Sequence, residues 1–182
     1  MPRRTKISVE NLHHNCKPDK NKIASLAKRI LSAHRSNLDL DIILVKDQFI
    51  QQLNKNFRRK DKVTDVLSFG MEEGKKIGLE LNYLGDVYVC LDQAKRQAKE
   101  YGIPFVEEVY RLVTHGILHL LGYEHKTKKQ TERMKSEEDL FIAQITNMRP
   151  LKKYGRVVGQ ALNRAGTGQG ARPILRILAT KN

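Results

Sequence analysis

Residues 115 to 125 read His-Gly-Ile-Leu-His-Leu-Leu-Gly-Tyr-Glu-His, and no other run in the chain combines residue type and spacing to such clear chemical effect. Positions i and i+4 of a helix point the same way, so His115 and His119 can offer ring nitrogens to one ion, at about 2.0 Å from a bound zinc. Gly122 then breaks the helix, and the chain turns back to bring His125 from the loop as a third ligand. Three protein nitrogens leave the fourth position of a tetrahedral zinc to water, the arrangement of a catalytic rather than a structural site. The expected cofactor is therefore zinc, one per chain. A buried triad with no metal would carry unsatisfied nitrogens. His13, His14 and His34 show no such spacing and are expected at the surface.

The same spacing belongs to the metzincin proteases, where a glutamate directly after the first histidine acts as general base. Gly116 occupies that place here. Proteolysis by the usual route loses its proton acceptor, which moves a metallopeptidase well down the order of readings. Attack on phosphorus fits better, by a metal-activated water with a cation sharing the developing negative charge.

The elements that must position these residues follow from periodicity. Thr5 to Val9 alternate as a strand does, and Ile23, Leu26, Ala27, Ile30 and Leu31 recur at helical spacing after an N-cap at Asp19. Residues 38 to 46 predict a second strand, and Asp47 is expected to cap a short helix with Ile50, Leu53 and Phe57 on one side. Thr64 to Phe69 and Leu84 to Leu91 predict two more strands separated by a polar, glycine-containing loop. Asp92 opens a helix that Gly102 closes, and Pro104 suits the first turn of the next. That next helix carries Val106, Val109, Tyr110, Val113, Ile117, Leu120 and Leu121, a density that predicts passage through the core. Thr127 with Gln130 makes a capping box for a last helix running through Met134 to Ile145. The expected class is α+β: a small mixed sheet packed against helices, with a zinc-binding central helix.

Charge divides the chain. Residues 147 to 182 carry eight of the 34 Lys and Arg and none of the 20 Asp and Glu, so over half of the formal charge of +14 lies there. With five glycines between Gly155 and Gly170 and no sustained periodicity, this stretch reads as a basic, flexible C-terminal tail beyond a domain of residues 1 to 146. Such a charge makes nucleic acid the first partner to consider, with a merely soluble basic surface as an even alternative on composition alone. The residues Ile174, Leu175, Ile177 and Leu178 offer the tail a rival role in docking on a protein. No stretch reaches the roughly 18 apolar residues of a membrane span, and the N-terminus lacks a secretory apolar run, so a cytoplasmic protein with no membrane partner is expected. Cys16 and Cys90 lie far apart and outside any CxxC, as reduced thiols do.

The histidine block resembles the signature of the YbeY family of metal-dependent endoribonucleases, His-Gly-x-x-His-Leu-x-Gly-Tyr-Asp-His, and departs from it only at Glu124. Asn54 to Arg58 and Asp61 to Phe69 are similar to a second family segment, with Val63 and Gly70 where prolines are usual. Leu84 to Val87 resemble the family's L-G-D-[IV] strand, and Met134 with Glu138 fits its final helix. The resemblance covers roughly residues 5 to 146 and implies cleavage of single-stranded RNA in ribosome biogenesis. More closely, it implies maturation of the 3′ end of small-subunit ribosomal RNA and ribosome quality control, with ribosomal RNA and small-subunit components as partners. It also implies a functional role for Arg58, whose guanidinium suits a phosphate. Arg58, Arg59 and Lys60 together are the expected RNA-binding run, while a run of exposed cations remains the plain alternative. Thr64, Asp65 and Ser68 suit either a polar cleft or strand-edge hydrogen bonding. Asp86 could orient a ligand histidine or serve the backbone. Tyr123 suits a stacked base or a closed helix end, and Glu124 a carboxylate near the metal. The competing class is a non-catalytic ribosome-assembly factor in which zinc stabilises the fold.

Overall fold

The computed structural model describes residues 4–71 and 82–146; the basic tail and most of the polar loop before the fourth strand lie outside the described residues. The elements run β1 (Ile7–Asn11), α1 (Lys20–Ala33), β2 (Asp39–Val45), α2 (Asp47–Arg58), β3 (Val66–Gly70), β4 (Tyr83–Cys90), α3 (Leu91–Tyr101), α4 (Phe105–Leu120) and α5 (Lys128–Thr146). Every element expected from periodicity is present. The sheet order is β1-β2-β4-β3, with β3 antiparallel to β4 and the other pairs parallel, so the sheet is mixed as expected.

Strand periodicity sorts the core into two layers. Leu40, Ile42 and Leu44 of β2 share a face with Val87 and Val89 of β4 and Val66 of β3, and this face packs with α1 and α4. The other face presents Ile43, Val45, Leu67 and Cys90 to Ile50 of α2. A central strand covered on both sides explains why β2 is a nearly unbroken apolar run. β2 and β4 therefore form a rigid floor between α2 and α4.

The helix ends show where local chemistry decides and where tertiary contacts take over. The Asp19 carboxylate accepts from the N–H groups of Asn21 and Lys22, the expected N-cap. Thr127 and Gln130 exchange both bonds of a capping box, at 3.0 and 3.2 Å. Asp47, by contrast, is the first residue of α2 and not its cap, which is Lys46; its N–H is taken by the Asp92 carboxylate at 3.1 Å. Asp92 stands in the first turn of α3, capped by Cys90, and Pro104 is the N-cap of α4 rather than a residue of its first turn. Val106 is 39% exposed although Glu107 and Glu108 in the same turn are buried, so it stands on the outward side of that turn. Phe57 is 60% exposed, resting one edge on Phe69 of the edge strand β3.

Candidate metal centre

Close approach fixes the central helix over the sheet. A Cβ on Gly116 would stand 2.5 Å from Val87 Cγ1 and 3.0 Å from Ser68 Oγ, so only glycine lets α4 lie this near β3 and β4. The Ser68 hydroxyl donates to the Gly116 carbonyl at 3.0 Å and adds a polar tether there. Position 116 thus faces the sheet. His115 and His119 lie to the side, towards α5 and the loop after α4. That loop is set by a Schellman end: the Gly122 N–H donates to the His119 carbonyl and the Tyr123 N–H to that of Leu118, with Gly122 at φ 91°. The chain reverses and delivers His125.

The hydrogen bonds made by the rings decide which nitrogens are left for a ligand. His119 Nδ1 lies 2.9 Å from the Tyr123 carbonyl, which can only accept, so the ring proton sits on Nδ1. His115 Nδ1 lies 2.5 Å from Glu138 Oε1, which fixes its proton in the same way. In a neutral ring the lone pair then lies on Nε2, and the two Nε2 atoms face each other 3.0 Å apart. A hydrogen bond between them would need a third proton and turn one ring into an imidazolium. A cation bound by both satisfies both, and two nitrogens on one tetrahedral zinc lie roughly 3.3 Å apart. His125 Nε2 is buried with no hydrogen-bond partner. Ligand atoms of the three histidines all fall within 4.8 Å of one another, so the donor set fits a metal ion.

The sequence pattern of the family described as Endoribonuclease YbeY matches residues 8–146. The chain belongs to the YbeY family. It is 39% identical over 142 residues to the Endoribonuclease YbeY of Syntrophotalea carbinolica, covering 76% of this chain and 95% of that protein. With the Endoribonuclease YbeY of Aquifex aeolicus it shares 45% identity over 127 residues, covering 68% and 81%. The solution structure of TM1509 from Thermotoga maritima superposes with a TM-score of 0.55 at 24% identity, over 90% of this chain and 99% of that one, and shares the fold.

Against this YbeY frame the other expected residues separate. Arg58 ends α2, and α2 packs on the sheet face opposite α4. Its Nε and Nη2 are buried without hydrogen-bond partners, and burial lowers its pKa to about 10, so it stays a cation at neutral pH. Arg59 caps α2 in the left-handed conformation, and the Lys60 N–H closes the turn on Asn54. Asp86 alternates with Val87 and so faces away from α4, accepting from the Tyr83 hydroxyl. It is not the carboxylate behind a ligand histidine. Asp65 accepts from Val66 N–H and Gln97, a structural use, and the Glu124 carboxylate meets Lys126. Tyr123 closes the helix end: its hydroxyl bonds His34 Nε2 at 3.0 Å, and Arg133 lies over its ring.

Two expectations about histidines fail. His13 is buried and bonds Asp92 at 2.9 Å, and His34 is part-buried between Ile30 and Tyr123. Each is drawn inward by a polar partner remote in sequence. Sequence reasoning also missed that Glu138 meets His115 and that Arg111 pairs with Glu138. A signal existed: Glu138 interrupts the apolar stripe Met134, Phe141, Ile142 of α5, and Arg111 sits inside the apolar run of α4. A charge on a core-facing stripe requires a buried partner.

Proposed function

We propose that this chain is a metal-dependent endoribonuclease that cuts single-stranded ribosomal RNA, maturing the 3′ end of the small-subunit RNA and acting in ribosome quality control in the cytoplasm. Membership of the YbeY family supports the reaction class. The observation that carries the metal requirement is the pair of facing Nε2 lone pairs at 3.0 Å with buried His125 Nε2 beside them. Three imidazoles suit zinc best among common divalent ions, one per chain. Bound there, the ion supplies a Lewis acid and a water acidic enough to be a nucleophile near neutral pH.

The protein's own part is binding and orientation. His115, His119 and His125 hold the ion, and Glu138 and the Tyr123 carbonyl fix two of their ring planes. Arg58 brings two buried, unpartnered donors to a phosphate, where a guanidinium can bind bidentately and share charge that grows in the transition state. Arg59 and Lys60 extend that cationic end of α2 along the RNA strand. We assign the reaction to residues 1–146 and added RNA affinity to the basic tail, 147–182, whose removal should flatten the salt dependence of RNA binding without changing metal content.

Gly116 speaks against a peptidase more strongly than its lack of a carboxylate alone. Any side chain there meets the sheet, so no general base can occupy the metzincin position in this fold. The test is cleavage of a labelled single-stranded RNA from the small-subunit 3′ region by the zinc-loaded protein, the chelator-treated protein and Arg58→Ala. Only the loaded wild type should cut at full rate. Arg58→Ala should fall on the order of 100- to 1000-fold with its metal retained. Binding without cutting by the loaded wild type would establish the assembly-factor reading instead.

A further inference from the structure

Behind His115 lies a buried charge network that reaches past its hydrogen-bond partner. Glu138 gives Oε1 to His115 Nδ1 at 2.5 Å, and its Oε2 stands 3.8 Å from Arg111 Nη1. The same Nη1 is 3.6 Å from Asp139 Oδ1, and Arg111 Nε is 3.6 Å from Glu108 Oε2. The Arg111 and Glu138 side chains are each only 10% exposed and that of Glu108 only 2%. One guanidinium is thus packed among three carboxylates. Glu108 and Glu138 are the buried members, while Asp139 is 31% exposed and also feels Lys135.

Arg111 projects from α4 one helical turn before His115, and Glu138 comes from α5. The guanidinium therefore ties the carboxylate of one helix to the helix that carries the ligand. Without it, Glu138 is one of several close carboxylates and is repelled by Glu108 and Asp139. With it, Glu138 Oε2 has a cation 3.8 Å away and Oε1 is the atom that meets His115.

We infer that Arg111 is a positioning residue for the metal centre: through Glu138 it locks the tautomer and ring plane of His115, with Glu108 and Asp139 holding the guanidinium in place. The inference rests on the proposed metal site and adds to it a residue that touches neither ion nor substrate. The loss of such an outer partner weakens metal binding about 10- to 100-fold.

The test compares full-length wild type, Glu138→Gln, Arg111→Met and Arg111→Lys in zinc competition against a chromophoric chelator, with thermal melts of the metal-free proteins. In parallel, long-range proton–nitrogen NMR reads the His115 tautomer in the metal-free state. Glu138→Gln and Arg111→Met should each lose about 10- to 100-fold in zinc affinity. Arg111→Lys should lose less, because it keeps the charge but not the fork. His115 should change from one tautomer to a mixture in Arg111→Met, an effect a merely structural ion pair would not produce. If Arg111→Met fails to fold, Arg111→Lys decides by the same two readings. A folded variant at position 111 with wild-type zinc affinity and a single His115 tautomer overturns the inference. Wild type that binds no zinc would overturn the metal reading itself, and the tautomer measurement would still judge the role of Arg111 on its own.

Discussion

Among the described residues, two groups of side chains bring three potential metal ligands within 4.8 Å: His115, His119 and His125 on one side, and Asp47, Cys90 and Asp92 on the other. Proximity is equal and chemistry is not. In the second group every donor is spoken for. Asp47 receives Arg96 at 2.7 and 2.9 Å and the Cys90 thiol at 3.2 Å, and Asp92 receives His13 at 2.9 Å. Burial pushes the Cys90 thiol up to about 12, so the thiolate a metal would need is scarce. In the histidine group, protons on both Nδ1 atoms leave lone pairs facing lone pairs. What marks a metal site is an arrangement that stays unbalanced until a cation arrives.

The sharpest way to break this comparison is to remove one ligand from each group. His119→Ala should lose the bound metal and reduce RNA cleavage to background, whereas Asp92→Asn should keep one metal per chain. Elemental analysis of the purified variants with a cleavage assay checks both. Equal metal loss in the two variants would sink the distinction.

A smaller effect concerns the thiol. With its pKa raised from 9.0 to about 12, Cys90 carries about three orders of magnitude less thiolate than an unperturbed cysteine at pH 8. Alkylation of native protein followed by mass spectrometry should leave Cys90 unmodified until the chain unfolds, and in His119→Ala, which lacks the first site, added zinc should not alter the rate. Protection of Cys90 by zinc in that variant would mean that the second group also binds metal.

Next in size is the fit of α4 to the sheet, which only the histidine side requires. Gly116→Ala forces Val87 or the helix to move, at a cost of about 1–3 kcal/mol. Chemical denaturation should show that loss, and zinc should recover part of it by binding the native state. An unchanged midpoint would mean that α4 can lift from the sheet freely.

How much of this was legible beforehand depended on the range of the interactions. The i, i+4 pair, the Gly122 stop and the Thr127 capping box are local, and each stands where the pattern put it. The helix start at Asp47 misled because the carboxylate that satisfies it belongs to Asp92, 45 residues away. Which sheet face each helix covers was illegible for the same reason. Asp86 could therefore be read as the partner of a ligand histidine, whereas alternation puts it on the face away from α4. Glu138 lies 23 residues from His115 and could have been suspected from its place on an apolar stripe, though not matched to its partner.

The weakest effect tests why the second group holds itself together. Hydrogen bonds from Arg96 are the main reason that the Asp47 pKa lies below its usual 3.8. A depressed acid contributes stability that is fully present above its unfolded pKa and is lost as pH falls through the folded value. The Asp47 side chain is 34% exposed and that of Arg96 52%, so solvent screens the pair and its worth should be about 0.2–1 kcal/mol. Asp47→Asn should therefore be slightly less stable than wild type at pH 7, and the gap should narrow as pH falls below 3.8. Urea titrations of both proteins at pH 7 and pH 3 measure it. A gap of the same size at both would trace the stability of this group to the shape of its packing rather than to its internal charge balance. The contrast with the histidines would then rest on the facing lone pairs alone.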